Sequence, residues 1–317
     1  MPRFAAPACS LVVLTLAVVP GSTLAAPPAS PSPAPPRTVA EVLAAALPSD
    51  WRAPDPASTL YVELPAGRVV IELAPAFAPR HVDNIRMLAR AHWYDGAAIV
   101  RAQDNYVVEW THPEAEAAAP PHALPPGAAP RLAAELDRTT AADLPFAAVP
   151  DGDVYAPQAG YSLGFPVGRD PARGRTWLAH CYGMVGVGRE DAADSGNGGD
   201  IYVVIGHAPR HLDLNVTLVG RVLRGIELLS TLPRGTGPLG AYEHAAQFVP
   251  VRSVRLAAEV PEAERTRLQV LRTDTATFAA LVQARRSRRE AWFLDPVGRI
   301  ELCNVPVPVR EEPLAIR

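Results

Sequence analysis

Residues 78–110 constrain the fold more than any other stretch of this 317-residue chain. Pro79 is suited to a first helical turn, where its missing N–H costs nothing. After it, Val82, Ile85, Leu88 and Ala89 recur at spacings of three and four, which predicts an amphipathic helix with one buried face. Tyr94-Asp-Gly96 reads as a turn. Two apolar runs of strand length follow, Ala98–Ala102 and Tyr106–Trp110. Arg101 sits inside the first run, between Val100 and Ala102. A guanidinium flanked by apolar residues in a strand is costly to bury unless it is paired, so Arg101 needs a reason to be there.

The surrounding chain supplies more strands. Thr59–Leu64 and Arg68–Leu73 are rich in β-branched residues and joined through Gly67, a hairpin pattern. After Trp110 the periodicity breaks, and residues 111–180 read as a long loop insertion rich in Pro, Gly and Asp. Within it Leu132–Asp137 reads as a turn or short strand, and from there to Thr176 the apolar punctuation is weak, at Val154, Tyr155, Tyr161 and Phe165–Val167. Strand patterns resume at Gly183–Gly188, Asp200–Ile205 and Val216–Val222. A run ending at Leu232 looks helical, and Pro250–Leu256 closes the series. The expected class is therefore mainly β, a closed barrel capped by two helices.

The ends of the chain differ from this middle. Thr38 followed by Glu41 forms a capping box for a short helix reaching Leu47. Thr275–Phe293 predicts a longer helix, with Phe278, Leu281, Val282 and Trp292 on its apolar side; Ile300–Val305 is expected to add a last strand. The cluster Arg285, Arg286, Arg288 and Arg289 reads as a solvated face. The organisation is then an N-terminal leader (1–25), a proline-rich linker (26–37), a helical segment (38–57), the barrel (58–260, with the insertion 111–180), and a C-terminal helix and strand extension (261–317).

Compartment follows from the first residues. Arg3, the apolar core Leu11–Val19, the break at Pro20-Gly21 and the small residues before Ala26 match a cleaved secretory signal, too short for a membrane span of about 20 residues. Every one of the 30 basic residues is arginine, a bias expected of a GC-rich bacterial genome, so a periplasmic or secreted location is expected. Cleavage leaves Cys181 and Cys303, either a disulfide pair in an oxidising compartment or two buried thiols. A net charge of -3 gives no electrostatic case for nucleic-acid or membrane-surface binding. A monomer that needs no cofactor is expected.

Nucleophile signatures are missing: there is no Gly-x-Ser-x-Gly elbow and no Ser-x-x-Lys. His207 and His211 have a helical ligand spacing, but Pro209 between them argues against a helix, so no metal is expected. The acidic loop Glu190–Asp200 lacks the alternating spacing of a calcium loop and reads as a turn.

Taken in order, these segments resemble the cyclophilin-type peptidyl-prolyl isomerases. Arg68–Leu73, Ala78-Pro-Arg-His-Val-Asp-Asn-Ile-Arg-Met-Leu88, Tyr94-Asp-Gly96 and Ile99-Val-Arg101 follow that family's opening. Gly183–Gly188, Gly198–Ile205, His211-Leu-Asp213 and Val219-Gly-Arg-Val222 follow its second half, so the likeness spans 58–258. The resemblance implies that Arg101 is the catalytic arginine. It implies that Tyr106, Val107, Tyr202 and Leu212 form a proline pocket, with Glu109, Gly188, Asp200 and His211 at substrate-binding positions. Departures from the family pattern are Val100 for a histidine, Glu109 and Asp200 for glutamines, Gly188 for an alanine, His211 for a tryptophan and Val216 for a histidine. The function implied is isomerisation of X–Pro bonds in exported proteins. The alternative is a weakly active or inactive barrel that binds proline-containing or unfolded segments.

Overall fold

The protein is described here by a computed structural model covering residues 37–113, 122–141 and 144–312; the expected signal and all but the last linker residue lie outside these. In chain order, α1 (Val39–Ala44) and β1 (Trp51–Arg52) precede β2 (Thr59–Leu64), β3 (Gly67–Leu73), α2 (Pro79–Arg90), β4 (Ala98–Ala102) and β5 (Val107–Thr111). Next come β6 (Arg138–Thr139), β7 (Ala147–Ala148), β8 (Gln158–Ser162), β9 (Phe165–Asp170) and β10 (Arg175–Leu178). Then follow β11 (Met184–Val187), β12 (Ile201–Val204), β13 (Leu218–Arg224), α3 (Ile226–Ser230), β14 (Val249–Pro250) and β15 (Ser253–Leu256). The C-terminal part holds β16 (Leu268–Leu271), α4 (Ala276–Ser287) and β17 (Val309–Glu311).

Nine strands form one antiparallel sheet in the order β14-β4-β5-β12-β11-β13-β3-β2-β15. Its two ends are one piece of chain. β14 pairs with β4 and β15 with β2, and between them the Val251 N–H donates to Ala97 O while the Arg252 N–H donates to Glu63 O. The curled sheet encloses a core of Ile71, Ile85, Leu88, Ile99, Val108, Val203 and Leu256, into which α2 lays the apolar face read from its spacing. No described helix is long and apolar enough to cross a membrane.

The stretch expected as a loop insertion corrects that expectation. It carries a second antiparallel sheet, β6-β10-β9-β8-β7. Glycines hide these strands from a sequence reader, because they mark close approaches rather than turns. A β-carbon on Gly160 would stand 2.3 Å from Ala147 O, and one on Gly168 would stand 2.5 Å from the Trp177 indole. This sheet and the C-terminal extension cover the outer face of part of the barrel and share a second core with it. Tyr161, Phe165 and Val167 meet Met184, Tyr202, Val204, Leu218, Phe278 and Leu302 there. In β12, Ile201 and Val203 enter the first core and Tyr202 and Val204 the second. Burial on both faces explains why the strand reads as a continuous apolar run.

Glu135 docks the insertion onto the barrel. It accepts from the Arg80 and His81 backbone N–H groups at the start of α2 and lies 2.7 Å from His81 Nδ1. Burial works to raise its carboxyl pKa, but the hydrogen bonds from His81 and from these N–H groups outweigh it and lower the value to about 2. Cys181 and Cys303 form a disulfide with Cα atoms 5.1 Å apart, tying the end of the insertion to the C-terminal extension.

Further expectations change. α4 stops at Ser287, where Arg288 takes a left-handed φ of 47°, so Trp292 is not on its apolar side and is 83% exposed. Phe278, Leu281 and Val282 are buried as expected. The segment expected as a last strand is a single helical turn, Leu302–Asn304, and the strand comes later, as β17. Of the apolar residues that punctuate the insertion, Tyr161, Phe165 and Val167 are buried and Val154 and Tyr155 are exposed.

Candidate functional site

Arg101 reaches the surface because β4 bulges. The β4–β5 register slips between Ile99 and Arg101, which leaves Val100 as the extra residue and sets Arg101 opposite Glu109. A bulge of this kind re-aims the side chain that follows it. The Arg101 Nε–H donates to Leu239 O at 2.7 Å, Nη1 to Glu109 Oε2 at 2.9 Å, and Nη2 to Gln103 Oε1. The loop that supplies Leu239 can close on β4 because residue 240 is glycine, with φ of 78° and no room for a β-carbon beside Gln103. A guanidinium carries five N–H donors. Three are engaged by described residues, and two remain for a substrate.

Beside the guanidinium lies an open cavity of about 340 Å³. Arg101, Tyr106, Val107, Glu109, Gly188, Tyr202, Leu212 and Val216 line it, together with Arg189, Glu190 and Asp191. The cluster read from the sequence therefore converges, though Asp200 and His211 are exposed and lie outside the lining. Asp200 backs onto Gly188, and His211 stacks on Tyr106 with ring centroids 6.2 Å apart and planes 9° apart. The Arg101 guanidinium carbon is 6.0 Å from the Tyr106 ring centroid. A larger cavity of about 470 Å³ lies between Arg52, Glu72 and Arg272, and none of the expected site residues line it.

Two departures from the family pattern fit each other. A β-carbon on Gly188 would stand 2.6 Å from Glu109 Oε1 and 2.8 Å from the Asp200 β-carbon, so glycine leaves room for the carboxylate. Burial raises the Glu109 pKa; the Arg101 charge and hydrogen bond oppose that, and Asp200 adds to it.

The sequence reading passed over what lies behind Tyr202. Its hydroxyl is 2.9 Å from His180 Nε2, and His180 Nδ1 is 2.9 Å from Asp213 Oδ1. Asp213 also accepts from Arg210 Nε, the His180 backbone N–H and Trp177 Nε1. Arg189 was passed over, and Glu190 and Asp191 read only as the start of an acidic turn. His180 went unnoticed because it falls in the insertion, although Cys181 beside it was a usable signal.

Residues 59–255 match the family described as cyclophilin type peptidyl-prolyl cis-trans isomerase/CLD. The chain belongs to that family. Among solved structures, cyclophilin AquaCyp293 from Hirschia baltica is similar at 22% identity and a TM-score of 0.64, covering 87% of this chain and 99% of its own. A Cryptosporidium parvum cyclophilin type peptidyl-prolyl cis-trans isomerase, solved in the presence of the dipeptide Ala-Pro, matches at 10% identity and a TM-score of 0.38 over 62% of this chain and 98% of its own. No curated protein sequence matches. Family membership makes the chain a peptidyl-prolyl isomerase with a cyclophilin fold, a barrel enlarged by the second sheet and the C-terminal extension.

Proposed function

We propose that this isomerase acts on X–Pro bonds of exported proteins, with Arg101 as its catalytic residue. An X–Pro amide resists rotation by about 18–20 kcal/mol because its C–N bond is partly double. Uncatalysed exchange takes roughly tens to hundreds of seconds. No covalent step is needed to lower that barrier. As the amide twists, its nitrogen lone pair localises, and a donor aimed at it stabilises the twisted state more than either planar one. Among the described residues two of the Arg101 N–H donors have no partner, and the side chain lines the cavity. Tyr106, Val107, Tyr202, Leu212 and Val216 would hold the proline ring and keep water from the reacting amide.

One observation carries this reading: the guanidinium borders an open cavity that Tyr106, Val107, Tyr202, Leu212 and Val216 line alongside charged side chains. Export rests on the N-terminal apolar run, and fractionation of the native host tests it: recovery of the full-length chain in the cytoplasm would overturn it. For the catalytic role, a proline-switch peptide assay should find wild type well above the uncatalysed rate and Arg101→Ala close to it. Equal rates for the two would remove Arg101 from the mechanism.

A further inference from the structure

The pocket's inner wall is held from behind by a buried polar chain. Tyr202 is 6% exposed, His180 fully buried, Arg210 3% exposed and Asp213 8% exposed. Arg210 continues the chain outward to Asp153, with Nη1–Oδ2 at 2.8 Å and Nη2–Oδ1 at 3.2 Å. Burial lowers the His180 pKa, opposed by Asp213, while Arg210 and His211 lower it further; the ring is therefore neutral. Asp213 accepts only, so Nδ1 carries the proton and Nε2 accepts from the Tyr202 hydroxyl. The two rings lie 8° from parallel, which is compatible with a hydrogen bond in the imidazole plane.

Three elements are thus arranged around one hydroxyl. Gly186, opposite Tyr202 across the β11–β12 ladder, leaves the space; a β-carbon there would stand 2.2 Å from the hydroxyl oxygen. His180, between β10 and β11, supplies the acceptor, and Asp213 fixes its tautomer. Phenylalanine, the residue the family pattern carries here, would need the same space, since a β-carbon at 186 would also stand 2.2 Å from the ring's Cζ, but it would not need the acceptor. Tyrosine buries a donor that must be paired.

We propose that His180 is a positioning residue for the isomerase: through the Tyr202 hydroxyl it fixes the plane of the ring against which the substrate proline packs. This rests on the reading of the Arg101 cavity as the prolyl site. A wall held at its far end cannot tilt, so the pocket is already shaped when the proline arrives and less ordering is needed on binding. The second sheet thereby takes part in substrate recognition without lining the cavity.

The test combines His180→Leu, Tyr202→Phe and the double variant, with thermal melts to verify folding. A proline-containing peptide is titrated against each, and KM and kcat are measured in the same peptide's isomerisation. His180→Leu leaves the hydroxyl unpaired, and both Kd and KM should rise about tenfold, a coupling typical of residues in direct contact, with kcat little changed. Adding Tyr202→Phe removes the need for a partner and should bring both back to within about threefold of wild type. Imidazole 15N shifts should show a neutral His180 protonated at Nδ1, with Nε2 changed by Tyr202→Phe. The proposal is overturned if folded His180→Leu binds the peptide like wild type, if the two substitutions add independently, or if Nε2 is protonated. Loss of the isomerase reading looks different: wild type would then show no rate enhancement, while peptide affinity and 15N shifts would still decide the role of His180.

Discussion

Two strand arginines in this barrel face the same problem and answer it differently. Arg101 on β4 stands opposite Glu109 on β5, and Arg221 on β13 stands opposite Glu72 on β3; each arginine is paired with its cross-strand glutamate. The second pair is the deeper one, with side chains 9% and 6% exposed against 22% and 19% for the first. Glu72 also binds Arg52, and Phe165 lies 5.5 Å from the Arg221 guanidinium. Burial lowers the Arg221 pKa, with Glu72 opposing and Arg52 assisting. Cost of burial, the property that first drew attention to Arg101, is therefore greater at Arg221, which touches no site residue. Each guanidinium lies near an aromatic ring, and what separates them is access: Arg101 lines an open cavity, and Arg221 lines neither that cavity nor the one beside Glu72.

The comparison predicts a division between stability and rate. Removing Arg221 takes one of two arginines from the buried Glu72, so Arg221→Met should cost stability in chemical denaturation, by no more than the about 3–5 kcal/mol of a fully stranded buried charge. Its kcat/KM, measured where the variant is folded, should match wild type. Arg101→Ala should do the reverse. A part-exposed pair is worth about 0–1 kcal/mol to stability, whereas losing a donor aimed at developing charge should lower kcat/KM by about 100-fold. A stable Arg221→Met, or an Arg101→Ala that unfolds without a specific rate defect, would collapse the distinction.

The same contrast explains what could be read from the sequence. The barrel was legible because its strands keep apolar runs between turn residues, and because motif order carries the family. Arg101, Tyr106, Val107, Glu109, Gly188, Tyr202 and Leu212 were placed around one cavity by that order alone. The second sheet was not legible, because Gly160 and Gly168 sit in strands where another group comes too close for a side chain. Trp292 was misassigned because helical periodicity ran on past Arg288, whose left-handed conformation ends α4. His180 could not be linked to Tyr202, since nothing in their spacing indicates that a buried hydroxyl needs an acceptor from the insertion. Pairings between distant segments are what periodicity omits.

Glu109 sharpens the comparison at smaller scale. If its charge draws the Arg101 field away from the prolyl nitrogen, Glu109→Gln keeps an acceptor and removes the charge, and kcat should rise about fivefold, the equivalent of about 1 kcal/mol for such a pair. A fall in kcat would show instead that the carboxylate's main service is to aim the guanidinium.

Protonation should make the same change reversibly. Burial raises the Glu109 pKa above its ordinary 4.5, so kcat in wild type should climb as pH falls through the raised value, and Glu109→Gln should lack that limb. Stability carries the matching sign. Between pH 4.5 and the raised value the folded state holds more protons at this site than the unfolded state, so the Glu109 contribution weakens as pH rises through that window. Glu135 runs the opposite way. Its carboxyl is lowered to about 2, so its contribution is complete above the ordinary carboxylate range and fades as pH falls toward that value. Denaturation of Glu109→Gln and Glu135→Gln across this acid range should flatten two limbs of opposite slope. If neither limb changes, Glu109 is as solvated as a surface carboxylate, and its pairing with Arg101 has no hold on the prolyl site.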